Sequence, residues 1–452
     1  MKPYDSYKPS GSPWLGDVPL QWPLARIRFR ATLNPGPSRR LDAEALVSFL
    51  PMEAIGNDGT LNLERVRTVD EVSSDYTYFE ERDVAIAKIT PCFENGKGAV
   101  MRGLSGKAGF GTTELIVMRP EEGLLPEWLY YLTMCQAFRS PGEAMMLGAG
   151  GQKRVPDLFV KDYSAAFPTI DEQRAIAAYL DTETTRIDEL VLEKEGLVNL
   201  LTEHRQGVAS DVVVRGLNRN CSMKPVGGGF GEIPAHWRLI PLKRFVKVSG
   251  GHTPSTDIPA FWDGAMPWVS PKDMKREELS DSIDHVTDAA VNECGLSVVA
   301  PGATLVVVRG MILAHSFPVA RNVVPVTINQ DMKAIRALSD VLPEYLPWLL
   351  RGVTSVVLSL TEQSAHGTLA LRTDKFFCEA FPIPPAKEQA EILAFLQGEL
   401  PRINELVAHT QDEIALLKEL RAATIAEAVL GRIDVRTADA ADEPATSNNP
   451  SV

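Results

Sequence analysis

The sequence predicts an α+β chain in which a mixed α/β domain followed by one long helix occurs twice. Three observations predict it. Residues 174–205 align without a gap on 390–421, at an offset of 216. Inside both stretches apolar residues recur at alternating four- and three-residue steps, the spacing of a helix with one sticky stripe. The remaining sequence carries β-branched runs punctuated by Gly and Pro, the mark of short strands and turns.

The repeat is the strongest of these signals. Matched positions include Ile176/Ile392, Leu180/Leu396, Glu183/Glu399, Arg186/Arg402, Ile187/Ile403, Glu189/Glu405, Leu190/Leu406, Leu201/Leu417 and Arg205/Arg421. Upstream, FPTIDEQ (167–173) answers FPIPPAKEQ (381–389), and GDVPLQW (16–22) answers GEIPAHW (231–237). A fainter echo sets GFGTTELIVMRP (109–120) against VTINQDMKAIRAL (326–338). The chain then divides into an N-terminal extension (1–16), a first variable domain (17–168) and a first long helix (169–218). A glycine-rich linker (219–232) leads to a second variable domain (233–383) and a second long helix (384–434). The small, polar end, 435–452, is expected to be disordered.

Each helix of about 40 residues would run roughly 60 Å, and a helix of that length with one apolar stripe needs a partner. The nearest partner is the other copy, the two lying alongside each other near Ile187 and Ile403. The expected interface is Ile176, Leu180, Ile187, Leu190 and Leu201 from the first helix, with Ile392, Leu396, Ile403, Leu406 and Leu417 from the second. The competing expectation is that each helix packs only on its own domain. Strands are expected at 83–89, 114–120, 303–310 and 333–338, and helices at 126–140 and 343–360, both opening on proline and acid.

Catalytic signatures are missing. The sequence contains no GxxxxGK[ST] phosphate loop, HExxH pair, GxSxG elbow or Asn/Asp-Pro-Pro-aromatic motif. The glycine cluster at 227–231 sits in the linker, without the strand and helix that a dinucleotide site needs. Five scattered cysteines and seven histidines show no metal-ligand spacing. No apolar run is long enough to cross a membrane and no secretory leader is visible, so a cytoplasmic location is expected. A binding protein is the expectation, and a nuclease or methyltransferase with unrecognised residues the alternative.

The net charge of −13 is unevenly spread. Residues 17–168 carry 17 basic and 20 acidic side chains, and 241–383 carry 13 and 15. The helical stretches are more acidic for their length, with 6 and 10 over 169–220 and 5 and 9 over 384–434. Near-neutral variable domains remain able to present a basic face to phosphate.

Taken in order, these phrases resemble the specificity subunit of type I restriction–modification systems. The resemblance rests on FPTIDEQ and FPIPPAKEQ, the helix sequence IAAYLDTETTRIDEL and its copy, and VSGGHTPSTDIPAFWDGAMPWVSPKDM (248–274). It also rests on INQDMKAIRAL (328–338) and the exits VVRGLN and AVLGRIDV. It runs from about Val18 to Val435, although the first half shows no counterpart of SGGHTPS. It implies two α/β target-recognition domains, an antiparallel coiled coil of the two helices and a pseudo-two-fold repeat. It also implies a split double-stranded DNA target, two methyltransferase subunits as partners and restriction/translocase subunits joining them. S-adenosylmethionine, ATP and Mg would then belong to the partners, with no catalytic group, cofactor or metal in this chain. A helical scaffold without DNA, or a specificity module of another restriction system, are the other readings.

DNA contact calls for cations toward phosphate and for amides, hydroxyls or cations toward base edges. In the first domain that points to Lys88, Lys97, Arg102, Gln152, Lys153 and Arg154, with Lys88 expected to correspond to Arg309. In the second it points to His252, Thr253, Ser255, Lys272, Arg309, His315, Asn329, Gln330 and His366. Plain turns and solvated surface are the alternative for each.

Overall fold

The computed structural model describes residues 2–149, 151–338, 340–363 and 367–437. The chain divides into two compact units. Unit 1 comprises Met1–Lys194 with Asp412–Val452, and unit 2 is Glu195–Gln411. The long helices, Ile170–Arg215 and Ala386–Val429, each contribute to both.

Unit 1 contains a four-stranded antiparallel sheet ordered Ala31–Leu33, Leu115–Pro120, Val84–Ala87, Gly98–Val100. A second sheet runs Val66–Thr68, Leu46–Leu50, Ala108–Gly111, Thr77–Glu80, its central pair parallel. Unit 2 repeats the scheme with one strand moved. Its larger sheet is ordered Val246–Gly250, Met332–Ala337, Thr304–Val307, Val319–Asn322, Glu278–Leu279. Its smaller sheet is Asp284–Val286, Trp262–Val269, Thr327–Ile328, again with a parallel pair. Strands such as VAIA and TLVV are buried on both faces, which explains their unbroken apolar runs. The helix expected at 126–140 breaks at Cys135, whose ψ of 139° is extended, giving Pro126–Met134 and Gln136–Ala144. The one expected at 343–360 likewise splits at Val353.

The FP…EQ phrases have a physical role. Thr169 and Glu172 exchange bonds between side chain and backbone at the start of the first long helix, a capping box. Gln173, 1% exposed, then accepts from Leu125 N and donates to Gly123 O and Pro168 O. Gln389, 0% exposed, makes the same three bonds with Leu342 N, Asp340 O and Pro384 O. One amide side chain therefore straps each long helix to the loop ahead of a domain helix. The paired tryptophans are equally matched. Trp22 donates its indole N–H to Glu172 and Trp237 donates to Glu388, and both rings are fully buried. Truncating either ring to alanine would cost roughly 3–5 kcal/mol.

The helices pair antiparallel in each unit. In unit 1 Asp188 meets Arg421 and Lys194 meets Glu413; in unit 2 Arg205 meets Asn404. The partly or fully buried positions follow an uninterrupted heptad: Thr184, Ile187, Val191, Lys194, Val198, Leu201, Arg205, Val208 and Val212. Adding 216 gives the second seam: Leu400, Ile403, Val407, Thr410, Ile414, Leu417, Arg421, Thr424 and Ala428. This corrects the sequence expectation in two respects. Leu406 is 54% exposed and stands beside the seam, as its copy Leu190 does one position before Val191. Ile187 and Ile403 are not mutual partners either, because antiparallel register sets Ile187 near Arg421 and Ile403 near Arg205. Of the other expected interface residues, Ile176 and Leu180 pack in unit 1 with Ile425, Ala428 and Val429. Ile392, Leu396 and Ile403 pack in unit 2 with Leu201, Ala209, Val212 and Val213.

The N-terminal extension is part of unit 1. Tyr7–Pro9 pairs with Asp17–Pro19, Tyr4 and Leu15 are buried, and the Tyr7 hydroxyl donates to Gly431 O. Val435 is buried too, and Arg436 reaches Glu172 at 3.3 Å, so 435–437 is not loose. The linker builds the matching hairpin in unit 2, Met223–Val226 with Gly231–Pro234. Both long helices exit through a glycine at positive φ, Gly216 at 71° and Gly431 at 67°. A Cβ on Gly431 would lie 2.5 Å from the Pro19 ring, so only glycine fits.

Candidate nucleic-acid interface

In unit 1 the C-terminal end of the central strand Val84–Ala87 gathers three chain segments. Lys88 N donates to Glu114 O at 2.8 Å, Val155 N to Lys88 O at 2.8 Å, and Thr90 N to Lys153 O at 2.9 Å. Glu114 lies on a tight turn in which Thr112 N donates to Leu50 O, Glu114 N to Thr112 Oγ1 and Leu115 N to Thr112 O. Unit 2 reproduces this seat bond for bond. Val308 N donates to Asp331 O, Leu371 N to Val308 O and Gly310 N to Leu369 O. Asn329 N donates to Val269 O, Asp331 N to Asn329 Oδ1 and Met332 N to Asn329 O. Lys88 therefore corresponds to Val308, and Arg309 to Ile89, one residue away from the sequence expectation.

Lys88, Lys153 and Arg154 come together on this seat in unit 1. Arg154 grips Glu114 in a fork, Nε to Oε2 at 2.9 Å and Nη2 to Oε1 at 2.7 Å. That guanidinium holds the Glu114 carboxyl below the usual carboxylate range. Gln152 and Lys153 are exposed beside it. Two other candidates are engaged elsewhere. Lys97 donates to Met52 O at 3.0 Å and Ile55 O at 2.9 Å, bracing that turn, and Arg102 pairs with Glu127. Sequence reasoning missed Arg139, which supports the seat from below. It is 3% exposed, donates to Phe93 O at 2.5 Å and Thr133 O at 2.6 Å, and lies over the Phe93 ring. Burial pushes its guanidinium down to about 10, which leaves it charged at neutral pH.

In unit 2 the glycine pair of SGGHTPS is explained by proximity. A Cβ on Gly251 would fall 2.1 Å from the carbonyl oxygens of Ile328 and Asn329. His252 N donates to Ile328 O at 3.0 Å, and the Trp268 indole N–H to His252 O at 3.1 Å. Thr253 donates to Gln330, so these two candidates meet. Asn329 is nearly buried, its amide oxygen capping Asp331, whereas Gln330 is exposed. Ser255 is exposed, and its carbonyl accepts from the Trp262 indole. Arg309 and His315 are exposed on either side of the turn Met311–Ala314. Lys272 is tied to Asp284 at 2.6 Å. His366 lies outside the described residues.

Strand register also locates the first-half segment that should match SGGHTPS. Leu33 pairs with Met118 as Val248 pairs with Ile335, which sets Asn34 at the place of Ser249. Beyond that point the paths part. The first-half loop turns to Glu80 and Gly106 through Ser38 N and the Arg39 guanidinium, away from the seat. Gly36 stands at the place of Gly251, but a Cβ on it would meet nothing within 4 Å, so this stretch does not lie against neighbouring carbonyls.

Among the described residues no group of three or more His, Cys, Asp or Glu side chains could hold a metal ion. No described helix is long and apolar enough to cross a membrane. The arrangement is two equivalent polar seats at strand ends, each supported by a buried core and each carrying different side chains. One backbone scaffold thus occurs in duplicate with unlike side chains on it. Residues 234–416 match the family model described as the type I restriction modification DNA specificity domain.

Curated relatives are specificity subunits. The chain is 37% identical over 187 residues to the EcoEI specificity subunit of Escherichia coli, covering 41% of this chain and 31% of that one. It is 36% identical over 191 residues to the EcoAI subunit of the same organism, covering 41% and 31%. The alignments thus span about a third of those relatives' length. By structure, the fold is similar to a chain from a work on complex assembly and conformational transition of the type I R-M system. That match has a TM-score of 0.72 and 17% identity, covering 92% of this chain and 99% of the other. The HsdS subunit of Thermoanaerobacter tengcongensis follows with a TM-score of 0.50 and 18% identity, covering 92% and 98%.

Proposed function

We propose that this chain is the non-catalytic DNA-reading subunit of a type I restriction–modification complex, and that it recognises a bipartite, asymmetric double-stranded target. The observation that carries the reading is the duplicated seat: the same backbone hydrogen bonds in both units present Thr113 in one and Gln330 in the other. Equal scaffolds with unlike exposed side chains suit two half-sites of different sequence. Lys88, Lys153, Arg154, Arg309 and His315 supply cations or donors for phosphate beside the reading positions. The net charge of −13 is offset in the complex by more basic partners.

The long helices act as the spacer-setting element and as the dock for two methyltransferase subunits. Leu200 and Leu416 are repeat equivalents, and each is 63% exposed, an apolar pair available to a symmetric pair of partners. Restriction/translocase subunits join where the system also cleaves. S-adenosylmethionine, ATP and Mg serve those partner subunits, and the complex works in the cytoplasm.

The test is co-expression with a candidate methyltransferase subunit, followed by mapping of methylated adenines. A split motif with a fixed gap is expected. Inserting one heptad in both helices lengthens them by about 10 Å and should widen the gap by about three base pairs. Absence of any split motif overturns the reading, and an unchanged gap overturns the spacer role.

A further inference from the structure

We infer that Thr113 is a base-reading residue of unit 1, the counterpart of Gln330 in unit 2, and that each sets the base preference of one half-site. The inference rests on the DNA-reading function proposed above and sharpens it to one position per unit. Thr112 and Asn329 each receive a backbone bond from the residue three positions on, and each caps the second residue after it with its side chain. The two turns are therefore the same turn. The residue between cap and acid is Thr113 in one unit and Gln330 in the other, and both are exposed.

The surroundings argue for reading instead of support. Asn329 is 6% exposed and is consumed by its cap, so the amide beside it, Gln330, is the one that can turn outward. The Thr253 hydroxyl donates to Gln330, which fixes the orientation of its amide. In unit 1 the acid after Thr113, Glu114, is gripped by the Arg154 guanidinium. A cation beside a small donor–acceptor is a fitting pair for a phosphate and an adjacent base edge. An amide can bond adenine through two atoms, whereas a threonine offers one hydroxyl and a methyl that suits thymine. The same seat would then read different bases without any change in the fold.

The test uses the full chain co-purified with its methyltransferase subunit and a pool of randomised double-stranded DNA, with retained duplexes sequenced. Thr113→Gln is expected to shift preference at one base of one half-site, roughly tenfold, and Gln330→Thr at one base of the other. The partner half-site and the gap stay unchanged in each case. Both positions are exposed, so melting temperatures should match the parent chain. Retained pools identical to the parent's for both variants overturn the inference while leaving DNA reading intact. Uniform weakening across all sequences also overturns it, since that is a phosphate contact. A parent chain that enriches no sequence overturns the inference and the DNA-reading function together.

Discussion

Arg421 donates from Nε to Asp188 Oδ1 at 2.8 Å, and the repeat-equivalent Arg205 donates from Nε to Asn404 Oδ1 at the same distance. One polar layer thus recurs in both units, charged in the first and half-neutral in the second. Arg205 recovers a carboxylate from Glu277 instead. An arginine in a mostly apolar seam helps to fix register because a shift would part it from its acceptor. In a double-mutant cycle of Arg421→Ala and Asp188→Ala, Asp188's partial exposure limits the coupling to about 0.5–1 kcal/mol. Urea unfolding of the four proteins measures it, and a coupling of zero would remove the register argument.

Gln173 and Gln389 make the strongest stability prediction. Alanine at either leaves a part-buried backbone N–H and two carbonyls, one of them buried, without their partner, at a cost of about 1–3 kcal/mol. Glutamate at 173 keeps the acceptor for Leu125 N but loses both donors and buries a carboxylate. Burial raises that carboxyl's folded pKa, so the variant should be least stable at neutral pH and recover as acid protonates it. Thermal melts at several pH values would show this, and a flat profile would contradict it.

Arg139 ties the helix Gln136–Ala144 to the turn that follows Lys88. Replacing it with methionine retains volume but strands the carbonyls of Phe93 and Thr133, at a cost of about 2–3 kcal/mol. Loss of DNA binding should accompany the loss of stability, since the Thr90–Lys153 bond depends on that turn. A variant that melts like the parent chain argues against the brace.

Salt dependence separates the cations of unit 1. Lys153→Ala should lower the slope of log affinity against log salt by about 0.9. Arg154→Ala should lower it by less, because Glu114 already neutralises that guanidinium. Glu114→Gln releases Arg154 and should raise both affinity and slope. The Glu114 carboxyl is held low by Arg154, so the pair is complete above the usual carboxylate value of about 4.3. It is lost only as pH falls through the lower folded value. Filter binding between pH 4 and 7 should therefore show no change in the Arg154 contribution near neutrality.

Much of this organisation was legible in the residues. The helix bounds 169–218 and 384–434 fall within a few residues of Ile170–Arg215 and Ala386–Val429. The four expected strands all form. Leu190 and Leu406, expected in the seam, lie off it, while Arg205 and Arg421 lie on it. Polar residues enter a seam when a partner across it bonds them, and no one-helix pattern reveals that partner. The echo of GFGTTEL with VTINQDM did signal the seat, but threonines lack the amide that made Asn329 and Gln330 conspicuous. Arg139 gave no signal because the carbonyl that ties it to the seat, Phe93 O, lies 46 residues away in sequence.

The membership of Asp412–Val429 in unit 1 has a consequence for synthesis. Unit 1 is begun before unit 2 yet can close only after it, since residues 1–194 must await 412–429 and the seating of Val435 in the same core as Tyr4 and Leu15. Unit 2, drawn from one continuous stretch, can finish earlier. Until 412–429 has been made, Ile176 and Leu180 lack Ile425, Ala428 and Val429 to pack on, and the first long helix carries an uncovered apolar stripe.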